Sequence, residues 1–472
     1  MKIIHRKWIS LIVLLMAHLL TIIDIFIVNV AIPAIQQGLG AKHSSVQLVV
    51  AMYMVGFASF LISGGKLGDY FGRKQLFITG LGLFMFTSIG CGLAISPSML
   101  ISMRFFQGAA AAMLSPQVLS FIQVLFPEHQ ERTYALGWFG ITIGIGTMLG
   151  QYLGGYFVEL DMITQPWRLI FLVNVPVCVL AILMAKHFLP RSKDDKALEL
   201  DYKGAMMLSA LLVLIFIVLT MSEDFPILIS ILTGMAAFLL AIYFYFHLQN
   251  RKDKSILNPQ LFNYKSFNTA IIAVALFMMM LDAYFFILSI FLQEGLHFSP
   301  SQASLLVVCQ GAGFIIASFM SARWVLRFGK SVLILGTFLI MSSLLLQLMG
   351  IFTQPSSINL HTLLFVHGFG VALVLPSFAN IALKNLPAHL VGNASGVYST
   401  AQQLFGAMGI ALTGGVFYYI VGKPGNIASF KLAFTVGTAI NILCLIGVLI
   451  LLCRLPRTIL PTRKKLKEKI LG

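Results

Sequence analysis

Charge is scarce in this sequence. Only 10% of its 472 residues are Asp, Glu, Lys or Arg, against the roughly 25% that a soluble domain uses to keep its surface in water. Polar side chains in that proportion cannot cover a globule, which excludes the two or three soluble domains that the length alone would allow. Cysteine is scarce as well. The five (Cys91, Cys178, Cys309, Cys444 and Cys453) form no CxxC pair and no metal-ligand spacing. They read as reduced packing residues in or at the ends of apolar stretches. No metal-ligand cluster, nucleotide-binding loop or nucleophile motif is found, so neither an enzyme nor a resident metal or cofactor is expected. An ATP-driven pump would need a soluble nucleotide domain, and no soluble domain or low-complexity tract is evident.

What is abundant is apolar surface, at 58% of the residues. A bilayer-spanning helix needs about 20 apolar residues. Candidate spans lie near 8–34, 46–65, 75–95, 98–126, 134–157, 167–189, 204–221 and 225–248. Further spans follow near 267–292, 303–326, 330–352, 360–383, 395–421 and 430–453. These runs are too long and too uniformly apolar for the alternating strands of a membrane barrel. The expectation is an all-α integral membrane protein with about fourteen transmembrane helices. The N-terminus has basic residues before an apolar run, as a signal peptide does. The run is too long for one and lacks a clear cleavage site, so it reads as an uncleaved first helix.

The basic residues orient the spans. With the N-terminus inside, about 27 of the 32 Lys and Arg fall on the cytoplasmic side. Lys42, Arg168, Lys423 and Lys431 fall on the other, and Arg104 lies within a span. Strict alternation of rich and poor loops supports the helix count, and both termini are expected in the cytoplasm. The net charge of +16 then reflects topology and contact with anionic lipid headgroups, with no role in nucleic-acid binding.

Two polar stretches, Pro190 to Lys203 and Gln249 to Lys265, isolate a pair of helices from the rest. The layout reads as 6+2+6: an N-terminal bundle over 1–190, linkers with a two-helix insert over 191–265, a C-terminal bundle over 266–455 and a basic cytoplasmic tail over 456–472. Two bundles related by a pseudo-repeat are a common transporter plan.

Ionisable groups inside a span are costly and point to function. They are few here: Asp24, Arg104 and Asp282. Each should face a wet cavity or a partner. Helical spacing places Arg104, Gln107, Gly108, Ala111 and Ser115 on one face. Asn268, Asp282, Ser289 and Gln293 share a face of the ninth span, as do Ser399, Gln402, Gln403, Gly406 and Thr413 in the thirteenth. Such stripes either line a pathway or bond neighbouring helices. Desolvation and a nearby arginine push a carboxylate's proton affinity in opposite directions. Asp24 and Asp282 are therefore the expected proton carriers, with Arg104 biasing the charge state. Phe26, Gln107, Ser115, Phe286, Ser289, Gln402 and Gln403 are expected in a substrate cavity. His18 and His367 are read as hydrogen-bonded structural residues, although a histidine can also relay protons. Gly146, Gly150 and Gly154, spaced four apart around Gln151, suit close helix packing.

Several segments carry a family resemblance. Gly65-Lys66-Leu67-Gly68-Asp69-Tyr70-Phe71-Gly72-Arg73-Lys74 resembles motif A, the signature loop of the major facilitator superfamily, and it lies after the second span as in that family. The segment from Asp24 to Pro33 is similar to the helix-1 signature of the fourteen-helix drug:proton antiporters. Leu100 to Gly108 resembles motif B, whose arginine is implicated in proton coupling. Trp167 to Pro176 resembles that branch's start of helix 6, and Gly150 to Gly155 resembles motif C. Two positions depart: Phe26 stands where the signature usually has threonine, and Gln151 where motif C has proline. The second-half copy of motif A is reduced to Arg323, Arg327 and Gly329.

The resemblance implies the major facilitator fold. It also implies a latch at the gating loop formed by Gly65, Asp69, Gly72 and Arg73, and a proton-driven antiporter exporting amphipathic or cationic small molecules by alternating access. Aromatic residues and the Met278-Met279-Met280 run would supply an adaptable apolar wall or face lipid. A dedicated exporter or importer of one metabolite, such as a siderophore or an amino acid, would use the same architecture. A transporter-like sensor that moves nothing is a third reading, opposed by the retained Asp24, Arg104 and Asp69. The expected setting is the cell membrane, as a multi-pass monomer. Its partners would be its substrate, protons and lipids, with no nucleic acid. A periplasmic adaptor comes into question if the host is Gram-negative.

Overall fold

The computed structural model describes residues 2–160, 164–190, 201–221, 226–251, 255–353, 360–383, 386–422 and 425–454. Among them thirteen helices are long and apolar enough to cross a membrane. In the first part of the chain these include α1 (Lys2–Leu39), α2 (His43–Phe71), α3 (Arg73–Gly92) and α4 (Pro97–Leu125). α5 (His129–Val158) has 30 residues but does not meet the same measure of apolarity, because glycine and polar residues dilute it. The next span is broken into a short 3-10 turn (Pro166–Arg168), α6 (Leu169–Leu172) and α7 (Asn174–Phe188). Pro176 explains the break, since proline has no N–H to give and its ring crowds the carbonyl of Leu172. The chain continues with α8 (Tyr202–Met221), α9 (Ile227–Arg251), α10 (Lys265–Ile290), α11 (Pro300–Phe328), α12 (Lys330–Thr353), α13 (Leu360–Leu383), α14 (Ala388–Val421) and α15 (Ile427–Arg454). The basic tail expected over 456–472 lies outside the described residues.

The packing repeats. α1 packs on α5, α2 on α4, and α3 on both α4 and α7. In the same pattern α10 packs on α14, α11 on α13, and α12 on α13 and α15. Small residues set these contacts. A Cβ at Gly56 would strike the Phe105 carbonyl and one at Gly108 the Tyr53 carbonyl, locking α2 to α4. Gly313 and Gly368 meet the carbonyls of Phe365 and Gln310 in the same way between α11 and α13. Gly146, Gly150 and Gly154 bring α5 against Ile22, Ile23 and Ile27 of α1, with Gln151 buried beside them. Without a hydrophobic drive between helices in lipid, such close backbone approach is a main source of packing energy.

The two sets meet chiefly along α2 with α14 and α5 with α11. α8 lies against α2 and α14, and α9 lies on α8. Only 11% of the most apolar window of α9 is buried within the protein, so its Phe238, Leu239 and Phe246 face outward, as lipid contact requires.

The insert is held by one buried carboxylate at its base. Asp201 accepts hydrogen bonds from the Gly204 N–H at 2.9 Å, from His247 Nε2 at 2.9 Å and from the Ile256 N–H at 3.1 Å. It thereby joins α8, α9 and the strand of chain that follows. That strand is bonded in turn to Asn393 on α14, through the Asn258 N–H at 3.2 Å and the Ile256 carbonyl at 3.2 Å. Burial pushes the Asp201 carboxyl upward, but these donors outweigh it and hold it below its ordinary value. A carboxyl with a depressed folded value contributes stability above its unfolded value and loses it as pH falls through the folded one. Asp201→Ala is expected to cost about 1–3 kcal/mol through the donors left unpaired. A thermal unfolding series in detergent checks this. The wild-type advantage over the variant should be constant from neutral pH down to about 5 and shrink only below about 4. An advantage already lost well above pH 5 would show that the Asp201 carboxylate is not its source.

Candidate functional site

A cavity of about 1090 Å³ lies between the two helix sets. It extends from Phe26 of α1 and Phe285 of α10 to Gly65, Lys66, Asp69 and Asn258 at the end that carries the α2–α3 turn. Phe26 and Phe285 meet edge to face, 5.2 Å between centroids, and roof the cavity. Beyond them the sets are joined. Ser289 Oγ donates to the Asn29 carbonyl at 2.7 Å, and Gln293 Nε2 donates to the Val30 carbonyl at 3.0 Å. His43 stacks on Tyr418 with centroids 4.0 Å apart. At the rim Glu159 accepts from the Ser301 N–H at 2.9 Å and from the Ser301 hydroxyl. Burial raises the Glu159 carboxyl, but the serine bonds prevail and hold it below its ordinary value.

Asp24 and Arg104 are brought together, but not in the cavity. Arg104 Nη1 forms an ion pair with Asp24 Oδ2, and both side chains are sealed from solvent. Both charges find further partners around them, although Asn174 Oδ1 in the same cluster has none among the described residues. Gln107 Nε2 donates to Asp24 Oδ1 at 3.0 Å, and Asn174 Nδ2 donates to the same oxygen at 2.7 Å. Arg104 Nη1 also donates to Gln107 Oε1 at 2.9 Å, and Arg104 Nε to the Val49 carbonyl at 3.2 Å. Ser88 accepts from Gln107 at 2.8 Å, and the guanidinium sits over the Tyr53 ring at 4.3 Å. Low dielectric makes such a network strong when complete and costly when any member is missing.

Three expected cavity residues therefore sit elsewhere. Gln107 is fully buried and committed to the carboxylate. Phe286 packs edge to face on Tyr418 beyond the roof. Ser289 belongs to the seal. The shared-face argument was correct about direction but blind to depth, because each stripe runs the full length of its helix. Thus Asn268 bonds the Phe262 carbonyl at 2.6 Å near the mouth, Asp282 lines the cavity, and Ser289 and Gln293 close its far end. Phe26, Ser115, Gln402 and Gln403 do line the cavity, as do Gly65 and Asp69 at its mouth. Arg73 is bound to Asp69 within the same turn, through Nε at 3.0 Å and Nη2 at 2.9 Å, and Gly72 between the helices has φ +90°. That backbone conformation favours glycine.

Asp282 differs from Asp24. It is buried at the cavity wall, and its Oδ2 has no hydrogen-bond partner among the described residues. Gly406 of α14 gives it room, since a Cβ there would strike Oδ2. Sequence reasoning passed over Tyr53, Ser88 and Asn174. Asn174 carried the available signal, a lone amide just before Pro176 in an apolar run. Among the described residues no cluster of His, Cys, Asp or Glu fits a metal.

Comparison with known proteins agrees with this architecture. The family model described as Major Facilitator Superfamily matches residues 14–267 and 270–471. The chain is 30% identical over 404 residues to a multidrug resistance protein, Stp, of Mycobacterium tuberculosis, covering 84% of this chain and 73% of that one. It is 29% identical to a puromycin resistance protein, pur8, of Streptomyces alboniger, over 98% of this chain and 93% of the relative. The xylose transporter XylE from E. coli superposes with a TM-score of 0.66 over 98% of this chain and 99% of its own, at 14% identity.

Removing one partner of a buried ion pair leaves an uncompensated charge, which typically costs about 3–5 kcal/mol. Arg104→Gln and Asp24→Asn are each expected to lower the unfolding midpoint of the purified protein sharply. The double variant should lose much less than the sum, a coupling read directly from the thermal double-mutant cycle. Additive losses would mean that the two side chains do not act as a pair.

Proposed function

The chain belongs to the major facilitator superfamily, a multi-pass transporter of the cell membrane, and on that premise we propose that it is a proton-coupled exporter of amphipathic small molecules. In this reading α5 is the fourteenth span, and the distribution of basic residues supports both termini and the mouth of the cavity lying in the cytoplasm. The conformation is then inward-facing. The observation that carries the reading is the partnerless Asp282 carboxylate in the wall of a large, mainly apolar cavity. Such a group exchanges protons with the side to which the cavity opens, and a cationic solute competes for the same oxygen. Loading one species then requires release of the other, which is antiport. The drug-resistance names of the relatives support outward transport.

Asp24 and Arg104 satisfy each other and are walled off from the cavity. Their proposed part is to hold α1, α3, α4 and α7 as one rigid body. Alternating access would open the sealed end. That seal includes only a few hydrogen bonds, those to main-chain carbonyls with a net worth of about 1 kcal/mol each and those to the Glu159 carboxylate about 1.5–3, so rocking is within reach of a substrate's binding energy. As the mouth closes, Asp69 and Arg73 would come against the other bundle and act as the latch. The two bundles span 1–190 and 266–455, with the insert as an outer brace.

The test is dye accumulation in cells lacking their own efflux pumps, with and without a proton uncoupler. Expression is expected to lower accumulation of doxorubicin and puromycin, and the uncoupler to abolish that effect. Asp282→Asn should retain folded protein while losing uncoupler-sensitive extrusion by about tenfold or more, since only its titratable oxygen is removed. Extrusion that survives the uncoupler would refute proton coupling. No change across a broad panel of drugs would move the assignment to a dedicated single-metabolite carrier.

A further inference from the structure

Beside Asp282, the cavity has an unsatisfied polar side chain on the wall formed by α1. His18 of α1 lines the cavity, is only 7% exposed, and has no hydrogen-bond partner for either Nδ1 or Nε2 among the described residues. Its ring lies flat on Phe139 of α5, with centroids 4.0 Å apart and planes 10° from parallel. The expectation that His18 is a hydrogen-bonded structural residue therefore does not hold. His367 is a partial contrast: its Nδ1 is bonded to Gln310 Nε2 at 2.8 Å and its ring stacks on Tyr284, while its Nε2 has no partner among the described residues. Buried polar groups are nearly always paired within a protein, and those that are not call for an explanation. Here three residues with such atoms border one cavity: His18 and Asp282 from different helix sets, and Gln310, whose Oε1 is unpaired while its Nε2 is bonded to His367.

Their relative depth follows from helix geometry. Phe26 and Phe285 touch at the roof, which gives α1 and α10 a common level. His18 precedes Phe26 by two turns and Asp282 precedes Phe285 by about one, so the imidazole lies roughly 7 Å nearer the mouth than the carboxylate. Ile22, Ile25, Phe57, Met278, Leu281 and Phe314 face the same space, which also takes in the polar Thr21, Gln310, Gln402 and Gln403. A neutral imidazole offers one donor and one acceptor, which suits a hydroxyl, whereas a carboxylate only accepts and suits an ammonium.

We propose that His18 and Asp282 form a two-point site for an elongated, largely aromatic molecule that carries an ammonium at the Asp282 end and a hydroxyl or phenol at the His18 end. This rests on the reading of the cavity as the transport site and makes its ligand class specific. His18 is a specificity-determining contact, and Phe139 positions its ring. Ligands that lack the hydroxyl leave the imidazole unsatisfied and are rejected, as sites built around a hydrogen bond reject analogues lacking the partner.

The experiment is equilibrium binding to the full chain in lipid nanodiscs without a proton gradient, read by fluorescence and corrected with empty nanodiscs. The probes are doxorubicin, which has an ammonium on its sugar and phenols on a planar aromatic frame, and doxorubicinone, its aglycone without the amino sugar. Asp282→Asn should weaken doxorubicin by about tenfold and leave doxorubicinone unchanged. His18→Phe, which keeps the stack on Phe139 and removes both nitrogens, should weaken both probes by about tenfold. His18→Gln, which restores a donor and an acceptor, should recover binding to within about threefold of the wild type. His18→Leu replaces the Phe variant in this comparison if the latter does not fold. Wild-type affinity for both probes in the folded His18→Phe or His18→Leu protein overturns the proposal, as does absence of wild-type doxorubicin binding or an equal loss of both probes in Asp282→Asn. Because no gradient is present, loss of uncoupler-sensitive export with binding intact would refute only the proton-coupled reading.

Discussion

The ion pair between Arg104 and Asp24 is the constraint on which the first half of the molecule depends. A guanidinium and a carboxylate within the hydrocarbon layer must be paired and fully hydrogen-bonded, because no water is at hand to take over. Asp24 comes from α1, Arg104 and Gln107 from α4, Ser88 from α3 and Asn174 from α7. Satisfying one carboxylate therefore fixes four helices in depth and rotation. The glycine contacts between α2 and α4 draw the backbones together, but they are compatible with sliding. The network supplies register.

The second half solves the same packing problem without charge. Gln310 precedes Gly313 on α11 by three residues as Tyr53 precedes Gly56 on α2, and His367 precedes Gly368 as Gln107 precedes Gly108. There His367 bonds Gln310, and Tyr284 bonds Gln347 at 2.7 Å. A neutral cluster costs less to bury and pins its helices less rigidly than a completed ion pair. The asymmetry releases the acid of the second half. Asp282 is not consumed in holding α10 to its neighbours, and it is free to meet whatever enters the cavity.

Much of this was legible in the sequence. The apolar runs gave nearly all of the long helices, and Asp24, Arg104 and Asp282 stood out because lipid tolerates so few charges. Pairing and depth were less accessible. Periodicity places Gln107 and Ser115 on one face of α4, yet the first belongs to the ion-pair network and the second to the cavity. A face has an azimuth but no height, and height decides whether a polar group meets water, a partner or the seal. His18 was misjudged for a related reason. A histidine in an apolar run is usually satisfied, and only the placement of every neighbour reveals that this one is not. Asn174 and Ser88 were missed because a single amide or hydroxyl in a membrane helix is ordinary.

On the proposed reading, the two buried acids divide two tasks that a carrier cannot give to one group. A carboxylate that organises a bundle must keep its partners through the transport cycle, and one that exchanges protons or solute must be able to lose them. Asp24 is saturated by three side chains and closed off from the cavity. Asp282 is held open by the absent side chain of Gly406, which leaves Oδ2 facing no donor. Had Gly406 carried even a methyl group, the carboxylate would have been displaced from its place on the wall. The vacancy at Gly406 is as much a part of the site as the acid it accommodates. It also explains why the polar face of α14 is interrupted by glycine at the depth where α10 presents its only acid.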